Sequence, residues 1–537
     1  MKACPAVALR FGDREEMLAE GRRRIASRPG RYVDRIYGEK EAGGTSVLYL
    51  SAVPFEKLNF PEVGNKPFPV YSKVALGMVP PAVMALGATL AMAYSYFRKR
   101  VAAVAGHGEE HHTEFERLPN KLLTPVNLVL LLLIAFCGVA MVARFALGLG
   151  GSTHLSDTFP WGLWIVFDLV WIAVAAGAFA MAGIIYIFQR KDLYALGRTA
   201  VLMGLLSYSF VTVTLIADLG LPWHFYQLGL QAPEHSAMFE VSWCVGLYVT
   251  VLLFEFLPVP LEYFGLTRAM ASWKRWSGAY VALAMALFVY MLSRNPLYAA
   301  VTLAIFGAVA WKFRSSTEPI MLAIAAVTLS TMHQSSLGSL YLLMPNSLAA
   351  QWWSPVLPIN FFLSSIVAGT ALVVLIAMWI DRAWPSHFRQ EQPASVGQIT
   401  FWALVVYLAF RLGDLALRGQ LAGAFSGRMG PAFAAEILLG GVVPLLLLSR
   451  ASLRARPGLL FLATLLAVLG VVYNRLNVVI FAMDLRGRMP WVAPERYAPS
   501  LVEWGISIGL IAATIFLFGL GARWVPLLPK REASEAH

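Results

Sequence analysis

The 537-residue chain is 58% hydrophobic and 14% charged, with a mean hydropathy of +0.64, a balance that excludes a soluble domain and points to a polytopic membrane protein. Its formal net charge of +12 comes from basic residues in short loops between apolar runs, so membrane topology accounts for it and no nucleic-acid partner is expected. Cys4, Cys137 and Cys244 are too few and too scattered for a disulfide framework or a complete metal site, and the latter two read as packing residues.

Residues 1–73 are soluble in character and rich in arginine (Arg22, Arg23, Arg24), with no apolar signal segment ahead of them. The first run long enough to cross a bilayer is 74–97, an anchor helix, and a basic linker, 98–120, follows it. Runs at 121–147, 161–189, 198–220 and 237–258 predict a first transmembrane bundle (121–258), which the runs 318–343 and 355–381 complete (318–381). Between them, 278–312 holds two shorter runs, 279–292 and 297–311, parted by Ser293-Arg294-Asn295-Pro296. Each is short for a full crossing, so a helical hairpin, tilted or re-entrant, is expected to return the chain to the side it left. Runs at 399–416, 429–449, 457–482 and 501–522 predict a second bundle (399–522), and 523–537 is a tail. The expected fold is all-α: two transmembrane bundles of about ten helices, an N-terminal anchor helix and a short hairpin. Trp161, Trp164, Trp223, Trp352 and Trp353 sit where apolar runs begin or end and read as interface-belt residues.

Loop charge sets the orientation. Lys and Arg gather at 98–121, 190–198, 268–275, 312–314, 382–389, 450–456 and 523–531, whereas 149–160, 220–236 and 344–354 have none. The loops 417–428 and 484–500 carry some arginine without overturning the pattern. By the positive-inside rule the first set is cytoplasmic. Residues 1–73 are therefore expected outside and the C-terminus inside, in the cytoplasm.

Polar side chains within these spans need partners that lipid cannot supply. Thr331-Met332-His333-Gln334-Ser335-Ser336-Leu337-Gly338 places an imidazole, an amide and two serine hydroxyls in an apolar run. The cluster must face protein, a cavity or a polar ligand. Asp168 falls in the outer half of its span, Asp218 at the outer end of the next and Glu240 at the outer start of the one after, with loop residues His154, His224 and His235 on the same face. Each acid has a structural alternative, a bond to a neighbouring Ser, Trp or Arg, although Glu240 has no basic residue near it in sequence. Glu255 at the inner end of its helix reads either as a proton mouth or as a solvated helix end. In the second half Arg411, Asp414, Glu436, Asn474, Arg475 and Glu503 mix opposite charges. A pair of Arg475 with Glu436 or Asp414 would hold that bundle together, and a proton relay is the alternative.

Two resemblances bear on function. Cys4-Pro5-Ala6-Val7-Ala8-Leu9-Arg10-Phe11-Gly12-Asp13 resembles the end of a bacterial ferredoxin cluster motif. Tyr37-Gly38-Glu39 and Gly43-Gly44-Thr45-Ser46-Val47-Leu48-Tyr49-Leu50 are similar to the tail of the four-cluster ferredoxin subunits that accompany periplasmic hydrogenases and end in one membrane anchor, here 74–97. A [4Fe–4S] cluster needs four thiolates, so Cys4 is an orphan ligand and no complete iron–sulfur cluster is expected in this chain. The segment would be a fusion, or the result of a start at an internal Met, and is expected to lack a core of its own; a plain extension with an incidental cysteine is the alternative.

From about Leu118 to Pro529 the chain resembles the NrfD and polysulfide-reductase membrane-subunit family, in its hydrogenase-2-type branch. The residues that carry this are Phe159-Pro160-Trp161-Gly162-Leu163-Trp164-Ile165 with Phe167-Asp168-Leu169, Met332–Gly338, Phe410-Arg411-Leu412-Gly413-Asp414-Leu415, Asn474-Arg475-Leu476 and Leu527-Leu528-Pro529. The resemblance implies a haem-free subunit, not catalytic alone, that binds menaquinone or ubiquinone near the outer surface. Its implied partners are a four-cluster ferredoxin-like subunit and periplasmic catalytic subunits, a hydrogenase or another oxidoreductase. His333, Gln334, Ser335, Asp168 and Trp164 would then contact quinone, and Glu240, Asp218 and Glu255 would carry protons. Two rivals stand beside this reading. A haem b cytochrome needs facing axial ligands, yet only His333 lies well inside a span; a proton-coupled secondary transporter often shows inverted repeats, and the two halves show none that convinces.

Overall fold

The computed structural model describes residues 8–530 apart from 59, 106–112, 120, 121, 123, 157, 158, 231–235, 315–318, 346, 385, 386 and 484–496. Cys4 and His235 lie outside the described residues. An extramembrane helix, α1 (Arg14–Ser27), precedes α2 (Pro69–Gly77) and α3 (Val79–Ala105), which are parted at Met78, just ahead of Pro80 and Pro81, whose rings remove two amide donors from the helical ladder. There follow α4 (Pro125–Ser152), α5 (Leu163–Ala182), α6 (Tyr194–Asp218), α7 (Phe225–Leu230), α8 (Ala237–Phe256), α9 (Pro258–Tyr263), α10 (Thr267–Ser293), α11 (Pro296–Lys312), α12 (Ile320–Leu342) and α13 (Leu357–Ala383). The remainder comprises α14 (Glu391–Leu417), α15 (Leu421–Ala424), α16 (Gly430–Ile437), α17 (Val443–Leu448), α18 (Ala451–Arg454), α19 (Pro457–Leu476) and α20 (Leu501–Trp524). Twelve segments of the described residues are long and apolar enough to cross a membrane, and the chain is an all-α multi-pass membrane protein.

Where each helix sits follows from what it carries. α12, with His333, Gln334 and its serines, is enclosed by α5, α8 and α13, because those groups would be costly against lipid. α4 carries almost nothing but apolar side chains and leaves Leu132, Val139 and Val142 about 70% exposed. Two crossings bring backbones into direct contact. A Cβ added to Gly177 of α5 would fall 2.0 Å from the Cα of Gly369 on α13, and one on Gly440 would fall 2.4 Å from the Cα of Gly470. Small residues at such crossings let membrane helices gain van der Waals contact along their length.

The hairpin differs from expectation. Its first arm starts at Thr267, not near 278, and at 27 residues is long enough to cross, whereas α11 has 17. Lys274, Arg275 and the flanking polar residues break the apolar pattern over the first turns of α10. The pair also has a structural partner, since α11 packs on both α10 and α3. Gly87 of α3 opens a notch for the Phe306 ring, and Tyr94 meets Phe313 edge to face with centroids 4.8 Å apart. The anchor helix therefore docks on the hairpin.

At one end of the bundle the basic loops converge. A two-stranded pairing of β1 (Phe115–Glu116) with β2 (Leu528–Pro529), and bonds from Arg198 to the Pro526 carbonyl and Glu262, tie them together. The opposite end is closed by Tyr497 donating to Glu503 and accepting from the Leu163 amide, and by a bridge between Leu348 and Met483. The N-terminal segment does hold a small core, which corrects the expectation that it has none. Tyr37, Tyr49, Phe55 and Phe60 pack with centroids 4.8–6.4 Å apart, over buried Leu18 and Ile36.

Candidate functional site

α8 presents Glu240, Cys244, Tyr248, Val251, Leu252 and Glu255 as one buried stripe, spaced as residues on a single helical face must be. The two glutamates are about 22 Å apart along the axis at 1.5 Å per residue. α12 packs against this stripe, with Ser336 facing Glu240 and Ser330 facing Tyr248. His333 lies between those levels and is fully buried. Its ring sits 5.7 Å from Tyr208 of α6 and 6.3 Å from Tyr248, and the two tyrosines stack on each other at 4.0 Å.

The hydrogen-bonding state of this cluster is unusual for a protein interior. Both oxygens of Glu240, both oxygens of Glu255, both ring nitrogens of His333 and both amide atoms of Gln334 are buried without a hydrogen-bond partner among the described residues. Such groups are ordinarily satisfied. Ser336 lies close to the Glu240 carboxyl, yet its hydroxyl, like that of Ser335, donates to the Met332 carbonyl, at 2.8 and 2.7 Å respectively. Ser335, placed among the ligand-contacting residues, is also only half-buried, while its neighbour Ser336 faces the acid.

Asp168 and Asp218 part ways. Asp168 keeps one unpartnered oxygen and lies within electrostatic reach of Tyr208, Tyr341 and Asp218. Asp218 accepts a 2.8 Å bond from Trp164 Nε1 and has the Arg144 guanidinium near it, itself fixed to the carbonyls of Ala217 and Leu219. Trp164 is thus a buried donor to an acid, not a belt residue. Trp352 is corrected in the same way, being fully buried with its Nε1 2.8 Å from Glu436, whereas Trp223 is 66% exposed.

The second-half charges form a network centred on Glu436, in which Arg411 Nε and Nη2, Arg475 Nε and Asn477 Oδ1 are left without a hydrogen bond among the described residues. Glu436 accepts from Asn474 at 2.7 Å and from Trp352 and Asn477 at 2.8 Å, and Arg411 approaches to 3.7 Å. A π turn at Asn477–Phe481 and another at Leu438–Val442 flank this carboxylate. Arg475 meets neither of its expected partners, Glu436 or Asp414. It donates to Asn474 and Ser364 at 2.6 and 2.8 Å and lies 3.9 Å over the Phe361 ring. Asp414 instead pairs with Arg418 one turn on and accepts from Ser354. Charge alone pairs Arg475 with an acid, but the amide of Asn474 stands between, accepting from Arg475 and donating to Glu436.

Tyr208 and Tyr248 were not singled out from sequence, although Tyr248 is eight residues past Glu240 and seven before Glu255, the period of one helix face. A family model described as polysulphide reductase, NrfD, matches residues 151–484. The chain belongs to the NrfD family. Within the family, it is 28% identical over 435 residues to the probable Ni/Fe-hydrogenase 2 b-type cytochrome subunit of Escherichia coli K12, covering 78% of this chain and 98% of that one. It is 29% identical over 402 residues to the menaquinone reductase integral membrane subunit of Nitratidesulfovibrio vulgaris, covering 71% and 86%. A separate match, to the hydrogenase-2 operon protein HybA of Escherichia coli O157:H7, is 37% identical over 86 residues, 12% of this chain and 26% of that one. It corresponds to the N-terminal segment, so this NrfD-family chain joins two kinds of sequence.

Proposed function

We propose that this chain is the quinone-binding membrane subunit of a respiratory oxidoreductase, probed best at the α6–α8–α12 cluster. One contrast carries the reading. In the same protein Glu436 has every carboxylate oxygen bonded, as a structural acid should, while Glu240 and Glu255 have none bonded. An acid kept in a membrane without a fixed partner is kept for protons or a ligand.

A quinone, when bound, takes up two electrons and two protons at its carbonyl oxygens. His333 and Gln334 fit that need, because each has an unpartnered nitrogen able to donate to a carbonyl. The stacked Tyr208 and Tyr248 rings hold the imidazole in place. Glu240 lies on the same helix face as Glu255, with Tyr248 between them, and this line of groups supports proton delivery, with translocation across the membrane as its extension. Asp168, near Tyr208 and Tyr341, is a second proton-bearing group; Asp218 and Trp164 support it from behind. Asp414, Arg411, Glu436 and Arg475 hold the second bundle.

The electron source we infer is a four-cluster iron–sulfur subunit that binds residues 8–67, with catalytic subunits of hydrogenase or related type beyond it. The likeness to a hydrogenase-2 subunit and to HybA, and the menaquinone reductase relative, support this. With the basic loops cytoplasmic, the N-terminal segment and His154 lie periplasmic in a bacterial inner membrane. A b-type haem, named for one relative, has poor support here, because His333 is the one histidine among the described residues that lies within a span and paired histidine ligation needs two. The test is a purified, intact complex assayed with a short-chain menaquinone or ubiquinone. Saturable, quinone-dependent electron transfer is expected, and an intact complex that transfers electrons to soluble acceptors but to no quinone would overturn the proposal.

A further inference from the structure

At the basic end, away from the α6–α8–α12 cluster, a cleft of about 900 Å³ opens between the β1 linker, the end of α9 and the last turn of α20. Its walls include Arg117, Tyr263, Phe264, Arg523 and Trp524. The linker is tied at this point, where Leu118 donates to the Ala522 carbonyl and β1 is paired with β2.

Among the described residues, two cations in this cleft have no anion. Arg523 is nine-tenths buried and gives Nη1 to the Gly519 carbonyl at 2.6 Å, while its Nε has no partner. The Arg117 guanidinium rests 4.8 Å over the Tyr263 ring and pairs with no carboxylate among the described residues. The neighbouring cations are neutralised: Arg198 by Glu262, and Lys530 by Glu114. The wall's own acid, Glu116, stands 3.5 Å from His387. Next to this unneutralised pair, Phe264 is 64% exposed and Trp524 59% exposed, at the helix ends where a bilayer's headgroups begin. A free inorganic anion has no use for aromatic walls of that kind. A lipid uses both, placing its phosphate against the arginines and its acyl chains along the rings.

We propose that this cleft seats the phosphate of an anionic phospholipid from the leaflet at the basic end. The first test uses the unaltered full chain in nanodiscs with a photoactivatable phosphatidylglycerol. Labelling should concentrate in residues 113–119, 258–266 and 523–526 and exceed that by the matching phosphatidylcholine. Equal labelling by the two lipids, labelling elsewhere only, or full displacement by excess inorganic phosphate would overturn the proposal. The second reads lipid retained on the purified protein by native mass spectrometry. Arg117→Ala with Arg523→Gln should lower phosphatidylglycerol retention about thirtyfold, Arg523→Lys should keep most of it, and Lys530→Ala should leave it unchanged. Unchanged retention in the folded double variant, or an equal loss in Lys530→Ala, would also overturn it.

Discussion

Tyr248 of α8 stacks on Tyr208 of α6 with ring centroids 4.0 Å apart, and His333 of α12 closes on both. Three helices thereby fix one imidazole whose nitrogens have no hydrogen-bond partner among the described residues. His333→Ala should reduce quinone turnover while the complex still reduces a soluble artificial acceptor. Losing one such hydrogen bond costs about 1–3 kcal/mol, roughly five- to 150-fold in a rate or affinity. Normal quinone turnover in an intact His333→Ala complex would count against the assignment.

The two classes of buried glutamate should behave oppositely. Glu240→Gln keeps size and polarity but carries no proton, so turnover should fall with thermal stability nearly unchanged. Glu436→Ala leaves Trp352, Asn474, Asn477 and Arg411 facing nothing, and breaking a buried charged network costs about 3–5 kcal/mol. Melting of the detergent-solubilised protein, measured beside turnover, separates the two. A Glu436→Ala protein as stable as the parent would contradict the structural role.

Gly177→Ala tests the crossing of α5 and α13. With a Cβ 2.0 Å from the Gly369 backbone, the helices must part, at a cost of about 1–3 kcal/mol or more for overpacking. A lowered melting temperature, with quinone turnover reduced in step because α5 carries Asp168, is the expected outcome.

Glu41 gives the N-terminal segment a pH dependence. Burial opposes its ionisation, but bonds from Arg35 at 2.6 Å and from the Gly38 amide at 2.7 Å outweigh this and hold its carboxyl below the usual 4.5. A depressed folded value means the stabilisation is fully present above that ordinary value and is lost as pH falls through the lower, folded one. Proteolysis of the segment in the full-length protein should therefore accelerate below about pH 4.5. Glu41→Gln should be cleaved faster at neutral pH and lose most of that dependence.

The orientation is open to reporter fusions. An enzyme active only outside the cytoplasm should work after Gly150 and after Gln231, and one active only inside should work after Gly106 and at His537. The reverse at two or more of these sites would place His333 and Glu240 nearer the wrong surface for a periplasmic electron donor.

The spans were legible because lipid enforces long apolar runs, and His333 was legible because an imidazole among them stands out. What escaped notice depends on direction. Trp164 and Trp352 end apolar runs as belt residues do, and only the acids they meet, Asp218 and Glu436, reveal buried donors. Tyr208 and Tyr248 are aromatic residues that a membrane helix tolerates anywhere, so their convergence on His333 is a property of three packed helices. Ser335 and Ser336 differ by one residue, about 100° around the axis, and composition cannot say which faces Glu240. Arg475 was matched to an acid by charge, while the protein satisfies it with Asn474, Ser364 and an aromatic face.

The docking of α3 on α11 turns a meeting between proteins into a matter of tethering. Because residues 8–67 are continuous with a helix already held by Phe306 and Phe313, any subunit that grips them is delivered to this one bundle in a fixed ratio. Its local concentration is then set by chain geometry and no longer by expression level. A weak second contact on the bundle face suffices for occupancy, which leaves that face free to evolve for rapid exchange of substrate beside it.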